Sequence, residues 1–279
     1  MPTSPSLGEE RVSPLGGLTA AWRKRNLLGQ LVRREVLGRY RGSMLGITWS
    51  LIHPMVMLAI YTFVFSFVFR ARWPGGWGES KLDFALILFC GMIVFNVFSE
   101  CFTRAPMIIV AQPNFVKKVV FPLEVLPVVT VLAALFHAAM SLVVLLALML
   151  IMRGLPPATV LLAPLIVAPF VFFCLGLAWF LAALGVYVRD IGQVAQVLVT
   201  GLMFLSPLFY PLSVIPPVFQ PVLLLNPVAY PIEELRAVVI FGREPALAGL
   251  GIYAAASCVA MWAGYTFFQR VRRGFSDVI

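Results

Sequence analysis

The sequence predicts an all-α integral membrane protein with six transmembrane helices, an N-terminal interfacial helix, and short re-entrant helices between spans five and six. Three observations carry this expectation. Of 279 residues, 61% are hydrophobic and only 12% are charged, whereas a soluble domain carries about 25% charged residues. Apolar stretches of 20 or more residues recur along the chain, and about 20 residues cross a 30 Å hydrocarbon core. Lysine and arginine alternate between rich and poor connecting segments.

Residues 1–45 are polar and basic, with no apolar run ending in a small-residue cleavage site, so no cleaved signal peptide is expected. Within them, residues 17–45 suggest a helix lying on the membrane, with Leu28, Val32, Val36 and Tyr40 at i, i+4 spacing. Glu35 and Arg39 fall near that apolar side and stand four apart, a spacing at which they could pair.

The membrane-embedded body covers residues 46–268. Its six expected spans are Gly46–Phe69, Phe84–Thr103, Pro127–Ile151, Val160–Tyr187, Gln193–Leu212 and Ala246–Phe268. With the N-terminus inside, fifteen basic residues fall on the cytoplasmic side and six on the other. The positive-inside rule then places both termini, including the tail 269–279, in the cytoplasm.

Residues 206–231 hold seven prolines: Pro207, Pro211, Pro216, Pro217, Pro221, Pro227 and Pro231. Proline removes a donor and clashes with the preceding turn, so no straight helix is expected there. Broken helix at membrane depth survives only where protein or a water-filled cavity covers it. Extracytoplasmic broken helices are therefore expected over 207–242, with Pro231 opening a short helix that Gly242 closes.

Several chemistries find no support. The cysteines (Cys90, Cys101, Cys174, Cys258) and histidines (His53, His137) stand singly in apolar runs, without metal-ligand spacing. Glu100 is the one carboxylate inside an expected span, too little for a proton relay. There is no GxxxxGK[ST] phosphate loop, so if this chain moves a cargo uphill, the energy comes from another subunit. The net charge of +9 is mostly topological asymmetry, and no nucleic-acid partner is expected.

An ordered set of motifs resembles the membrane subunit of ABC polysaccharide exporters, the family covering O-antigen, teichoic-acid and some capsule exporters. These are REVLGRYRGSMLGITWSLIHPMVMLAIYTFVFSFVF (Arg34–Phe69), QPNFVKKVVFPLEVLP (Gln112–Pro127), VYVRDIGQV (Val186–Val194), SPLFYPLSVIP (Ser206–Pro216) and NPVAYPIEELR (Asn226–Arg236). The resemblance implies a homodimer in a bacterial inner membrane, each subunit docked on a cytoplasmic ABC ATPase subunit, with a channel at the dimer centre. It implies no cofactor in this chain and no catalysis by it, since ATP and Mg would sit on the partner ATPase. The cargo would be a polyprenyl-pyrophosphate-linked glycan moving among membrane lipid. Other cargoes, or less readily a membrane-embedded glycan enzyme, are the alternatives.

Carried onto this sequence, the resemblance puts a coupling helix within 104–126. Asn114 would cap it, Phe115 would anchor it in a groove, and Lys117 and Lys118 would stay hydrated, although an ordinary basic loop holding topology reads the same way. Arg189 and Asp190 match the family's Arg-Asp pair on the next cytoplasmic loop, or form a local salt bridge. Trp49, Tyr61, Phe65 and Phe69 on the first span, with Phe204 and Tyr210 on the fifth, could support sugar rings in the channel. They could equally be packing aromatics or, for Trp49, an interface anchor. Arg33, Arg34, Arg39 and Arg41 could hold the pyrophosphate through forked contacts, or serve topology and attraction to anionic lipid.

Overall fold

The computed structural model describes residues 24–68, 73, 81–116, 121–220, 223 and 225–279. Helices dominate, and no strand occurs among the described residues. Phe69, Lys117 and Lys118 lie outside them.

The chain opens with α1 (Arg25–Arg39), followed after a short turn by α2 (Trp49–Tyr61), which widens into π-type turns over Thr62–Val68. Next come α3 (Lys81–Arg104), the one-turn α4 (Pro113–Val116), α5 (Val125–Arg153) and α6 (Ala163–Tyr187). Then follow α7 (Ile191–Phe204), α8 (Ala229–Val239), α9 (Leu247–Val271) and the terminal turn α10 (Phe275–Val278).

Among the described residues five helical segments are long and apolar enough to cross a membrane: Gly46–Phe65, Asp83–Met107, Val125–Arg153, Ala158–Tyr187 and Leu247–Val278. They fall on the first, second, third, fourth and sixth expected spans. The fifth differs. Helix α7 has 14 residues, about 21 Å at 1.5 Å per residue, and stops at Phe204 rather than Leu212. Pro207 and Pro211 end it, because neither can donate to a helical carbonyl.

One helix organises the bundle. Of the most apolar stretch of α3, 83% is buried inside the protein, against 17% for α2 and for α5. A helix apolar on every side belongs in the middle. Leu86, Leu88, Cys90, Phe95 and Phe98 all lie in its buried core.

On one flank α6 and α9 cross closely. A Cβ on Gly264 would collide with the Gly176 carbonyl, and one on Gly176 with the Ala260 carbonyl. Small residues at a crossing let two backbones approach and gain dispersion contacts, the driving force available when lipid surrounds the helices. Trp179 adds a fully buried anchor, its indole N–H donating to the Glu124 carbonyl at 2.9 Å while its ring meets Tyr265 edge-on at 5.0 Å. Arg272, just beyond α9, binds the Glu124 carboxylate at 2.9 Å.

Helix α1 lies along the start of α5, with Leu31 packed against Val125 and Val129. Leu31 and Val36 are buried and Leu28, Val32 and Tyr40 half-buried, so the expected face seats on the bundle with Leu31 added to it. Glu35 and Arg39 do not pair with each other but reach across to α3.

Gly264→Leu is expected to separate α6 from α9 and cost about 3 kcal/mol, the upper end for overpacking. The measure is thermal denaturation of detergent-purified protein followed by size-exclusion chromatography. A midpoint equal to wild type would contradict the close crossing.

Candidate functional site

Two polar centres stand out among the described residues, one at the C-terminal end of α3 and one against the Ile87–Gly91 part of that helix, apart from the Arg153–Asp83 ion pair near its start. The first stands at the basic end. Glu100, one turn before Arg104 on α3, receives Arg39 from α1 and Arg104 from its own helix, the latter at 2.9 Å. Arg104 also binds Glu35, and His137 of α5 places Nδ1 3.1 Å from an Arg39 nitrogen and 3.6 Å from Glu100. Sequence spacing left His137 unpartnered and paired Glu35 with Arg39; both readings are corrected. Tertiary partners 61 and 69 residues away win over the i, i+4 neighbour, because they bring both arginines onto one poorly solvated carboxylate.

This network forms the floor of a cavity of about 620 Å³ between α1, α2, α3 and α5. His53 and Trp49 line it from α2, and Asn96 and Ser99 from α3. Both histidines of the chain therefore face one space.

The second centre is Arg236 on α8, which the sequence reading passed over. Its side chain is fully buried. Nε donates to the Ile87 carbonyl at 3.0 Å, Nη2 to Leu208 at 2.8 Å, and Nη1 to Pro207 and, at 3.3 Å, to Glu233. The guanidinium also lies 4.9 Å from the Trp73 ring centre. Gly91 makes the room, for a Cβ there would strike the guanidinium. Burial pulls the Arg236 pKa down and pushes the Glu233 carboxyl up, although the Arg236 charge beside Glu233 acts the other way. Asn226 completes the brace, donating to Ser206 Oγ at 2.8 Å and accepting from the Val228 N–H at 3.0 Å.

The expected site residues divide by location. Arg34 reaches Gln112 at 3.4 Å and sits 5.7 Å from the centre of the Phe115 ring, which stacks on Phe121 at 4.1 Å. Helix α1 is thus tied directly to the 104–126 segment. Asn114 does not cap that segment's helix: Pro113 takes the first helical position, and the Phe115 N–H turns back to the Gln112 carbonyl. Arg33 and Arg41 are exposed and make no side-chain hydrogen bond or ion pair among the described residues. Arg189 and Asp190 are exposed in the turn between α6 and α7, and no ion pair joins them. Their turn nevertheless lies beside the start of the 104–126 segment. Gly185 abuts the Pro106 carbonyl, and a Cβ on Gly192 would come within 3.2 Å of Met107.

The aromatics separate into two groups. Trp49 belongs to the basic-end cavity. Tyr61 is half-buried against the core. Phe65 stacks on Phe209 at 5.3 Å, and Phe209 lies 6.0 Å from Phe204, whose carbonyl accepts the Tyr210 hydroxyl. Phe209 is the link that sequence reasoning missed. Its signal was the alternation of proline and aromatic residues in SPLFYPL, which turns the chain back toward α2.

A model of the ABC-2 type transporter family matches residues 26–240. The chain is similar to a Myxococcus xanthus protein named O-antigen export system permease protein RfbA, with 31% identity over 257 residues, 91% of this chain and 96% of that one. Two Klebsiella pneumoniae proteins of the same name are 25% and 26% identical over 193 residues, covering 68% of this chain and 71% of each relative.

Arg236→Lys is expected to destabilise the fold, because one ammonium cannot reach the Ile87 and Leu208 carbonyls together. The loss should be roughly 3–5 kcal/mol, the scale for breaking a buried charged network. Yield and thermal midpoint of purified protein are the measures. A lysine variant as stable as wild type would show that the fork is dispensable.

Proposed function

We propose, for a chain that belongs to the ABC-2 type transporter family, that it is the permease subunit of an ATP-driven exporter of O-antigen-like, lipid-linked polysaccharide. The relatives named as O-antigen export permeases support that cargo. In this reading the protein is a homodimer in the bacterial inner membrane, with both termini and the basic end in the cytoplasm. A separate ABC ATPase hydrolyses ATP beneath it.

The observation that carries the docking half is the joining of two connecting segments at one end of the bundle, Gly185 against Pro106 and Gly192 beside Met107. A partner bound there touches Asn114, Phe115, Arg189 and Asp190 on one surface. Arg34, held by Gln112 and Phe115, extends that surface to α1. Movement of the docking segment would therefore reach the interfacial helix without crossing the bundle.

For the pyrophosphate the arginines are not equivalent. Arg39 is committed to Glu100 and Arg34 to the docking segment. Arg33 and Arg41 remain exposed, and Arg41 lies nearer the start of α2. The headgroup role therefore falls best to Arg41. The aromatic run Phe65, Phe209 and Phe204 offers ring faces to a sliding polymer.

A deletion strain is expected to lose its surface glycan, and wild-type chain should restore it together with a copurifying ATPase. Phe115→Asp should lower both copurification and surface glycan, since it removes an apolar anchor and adds the cost of desolvating a charge. Normal values for both would remove Phe115 from docking.

Arg41→Lys keeps the charge but gives up the fork, and export should fall about tenfold, equivalent to roughly 1.4 kcal/mol. Membrane insertion and ATPase association should stay normal. Full export by this variant would leave topology as the role of Arg41.

A further inference from the structure

Two hollows of different character lie between α2, α3 and α5. At the basic end is the 620 Å³ cavity described above. Toward the other end the same three helices enclose a second hollow of about 370 Å³, lined by Met55, Ala59, Phe63, Leu86, Leu148 and Met152. Not one of these six carries a charge or an amide.

The two hollows follow one stripe of α5, with no residue common to their linings. Ala134, His137, Ala138 and Ser141 line the first, and Leu148 and Met152 the second. At 3.6 residues per turn these six fall within a stripe of about 100°. From Ser141 to Met152 the rise is roughly 16 Å, close to half of a 30 Å hydrocarbon core. That is the reach of one ordinary lipid chain.

The polar end decides the headgroup. Arg39 and Arg104 are matched by Glu100 and Glu35, so those four formal charges sum to zero. Serine, asparagine and histidine surround this balanced network, with Tyr40 and Trp49 supplying aromatic faces. Donors and acceptors in number, ring faces, and no surplus cation together match sugar hydroxyls better than a bare phosphate. The far end is open on the outside of the bundle, with Met55 55% and Phe63 63% exposed.

We propose that the two hollows together form a lateral site for a membrane lipid with an uncharged, sugar headgroup, its hydroxyls in the polar cavity and one chain reaching along the α5 stripe into the apolar one. The site is separate in chemistry from pyrophosphate recognition at Arg41. Because α2 forms one wall and α3 and α5 the other two, an occupant would fix the spacing of the first span from the rest of the bundle.

The test uses the permease with its ATPase in nanodiscs and three lipids carrying the same diazirine-tagged acyl chain. They are glucosyl diacylglycerol, phosphatidylglycerol and diacylglycerol. After irradiation, labelled peptides are mapped by mass spectrometry. The glucosyl lipid should label the Met55–Phe63 and Leu148–Met152 peptides about tenfold more than either other probe, a difference of roughly 1.4 kcal/mol. Ala138→Trp fills the polar cavity and should remove that preference. Ala59→Trp, at an exposed position of the apolar strip, should lower the labelling without touching the core. Equal labelling by all three probes would show ordinary surrounding lipid and overturn the proposal. Stronger labelling by phosphatidylglycerol would overturn it in favour of an anion site. Absence of label in both peptides would overturn it as well. The wild-type comparison decides even if a tryptophan variant fails to fold.

Discussion

A backbone broken inside a buried, apolar bundle must find its hydrogen bonds within the protein, because an unpaired buried carbonyl is costly. In this molecule one side chain meets most of that demand. The prolines that end α7 leave the carbonyls of Pro207 and Leu208 without helical donors, and Arg236 supplies donors to both. The same guanidinium reaches the Ile87 carbonyl of the central helix, so the irregular segment is not merely satisfied but fastened to the best-buried element of the fold. The close approach needs Gly91, and the return of the chain brings Phe209 against Phe65. Remove the guanidinium and three carbonyls, a glycine notch and an aromatic stack lose their common reason.

The C-terminal end of α3 solves a different problem with the same means. There the charges are only partly withdrawn from solvent, and their value lies in what they connect. Glu100 gathers Arg39 and Arg104, and Arg104 gathers Glu35. A helix that could have floated on the membrane surface is thereby pinned to the bundle. Arg34 adds a contact to the segment that the transport reading assigns to the ATPase. Exposed ion pairs are individually weak, but here several converge on a carboxylate that is 15% exposed, which makes the network more than a count of pairs.

The spans were legible because hydropathy and length are local properties. Val125–Arg153 and Ala158–Tyr187 needed only their apolar runs. The early end of α7 at Phe204 was also signalled, by Pro207 and Pro211, yet Leu205, Leu208 and Phe209 kept the run apolar and made it look like a full crossing. A short helix near Pro231 and the turn at Gly242, whose φ is +65°, followed from the punctuation of the sequence, although the helix opens at Ala229 rather than at the proline. The polar centres did not. Glu35 and Arg39 satisfy the spacing rule for a helical pair, and nothing local says that Glu100 competes for the arginine. Arg236 resembled a solvent-facing residue because Glu233 and Glu234 precede it. Its one clue was distant, a lone Gly91 in the middle of a bulky apolar helix. Long-range partners are written in the sequence only as such small accommodations.

The uneven burial of the spans has a mechanical consequence. Helix α3 is buried along most of its length and carries a charged knot at one end and the guanidinium clasp part-way along it. Turning it would break both at once, so it acts as a stator. Helix α2 is held loosely, carries Pro54 within it and relaxes into wider turns from Thr62, features that let a helix bend. Any stroke delivered through the docking segment and Arg34 would therefore spend its displacement on the hinge of α2, while the axle of the machine stays still.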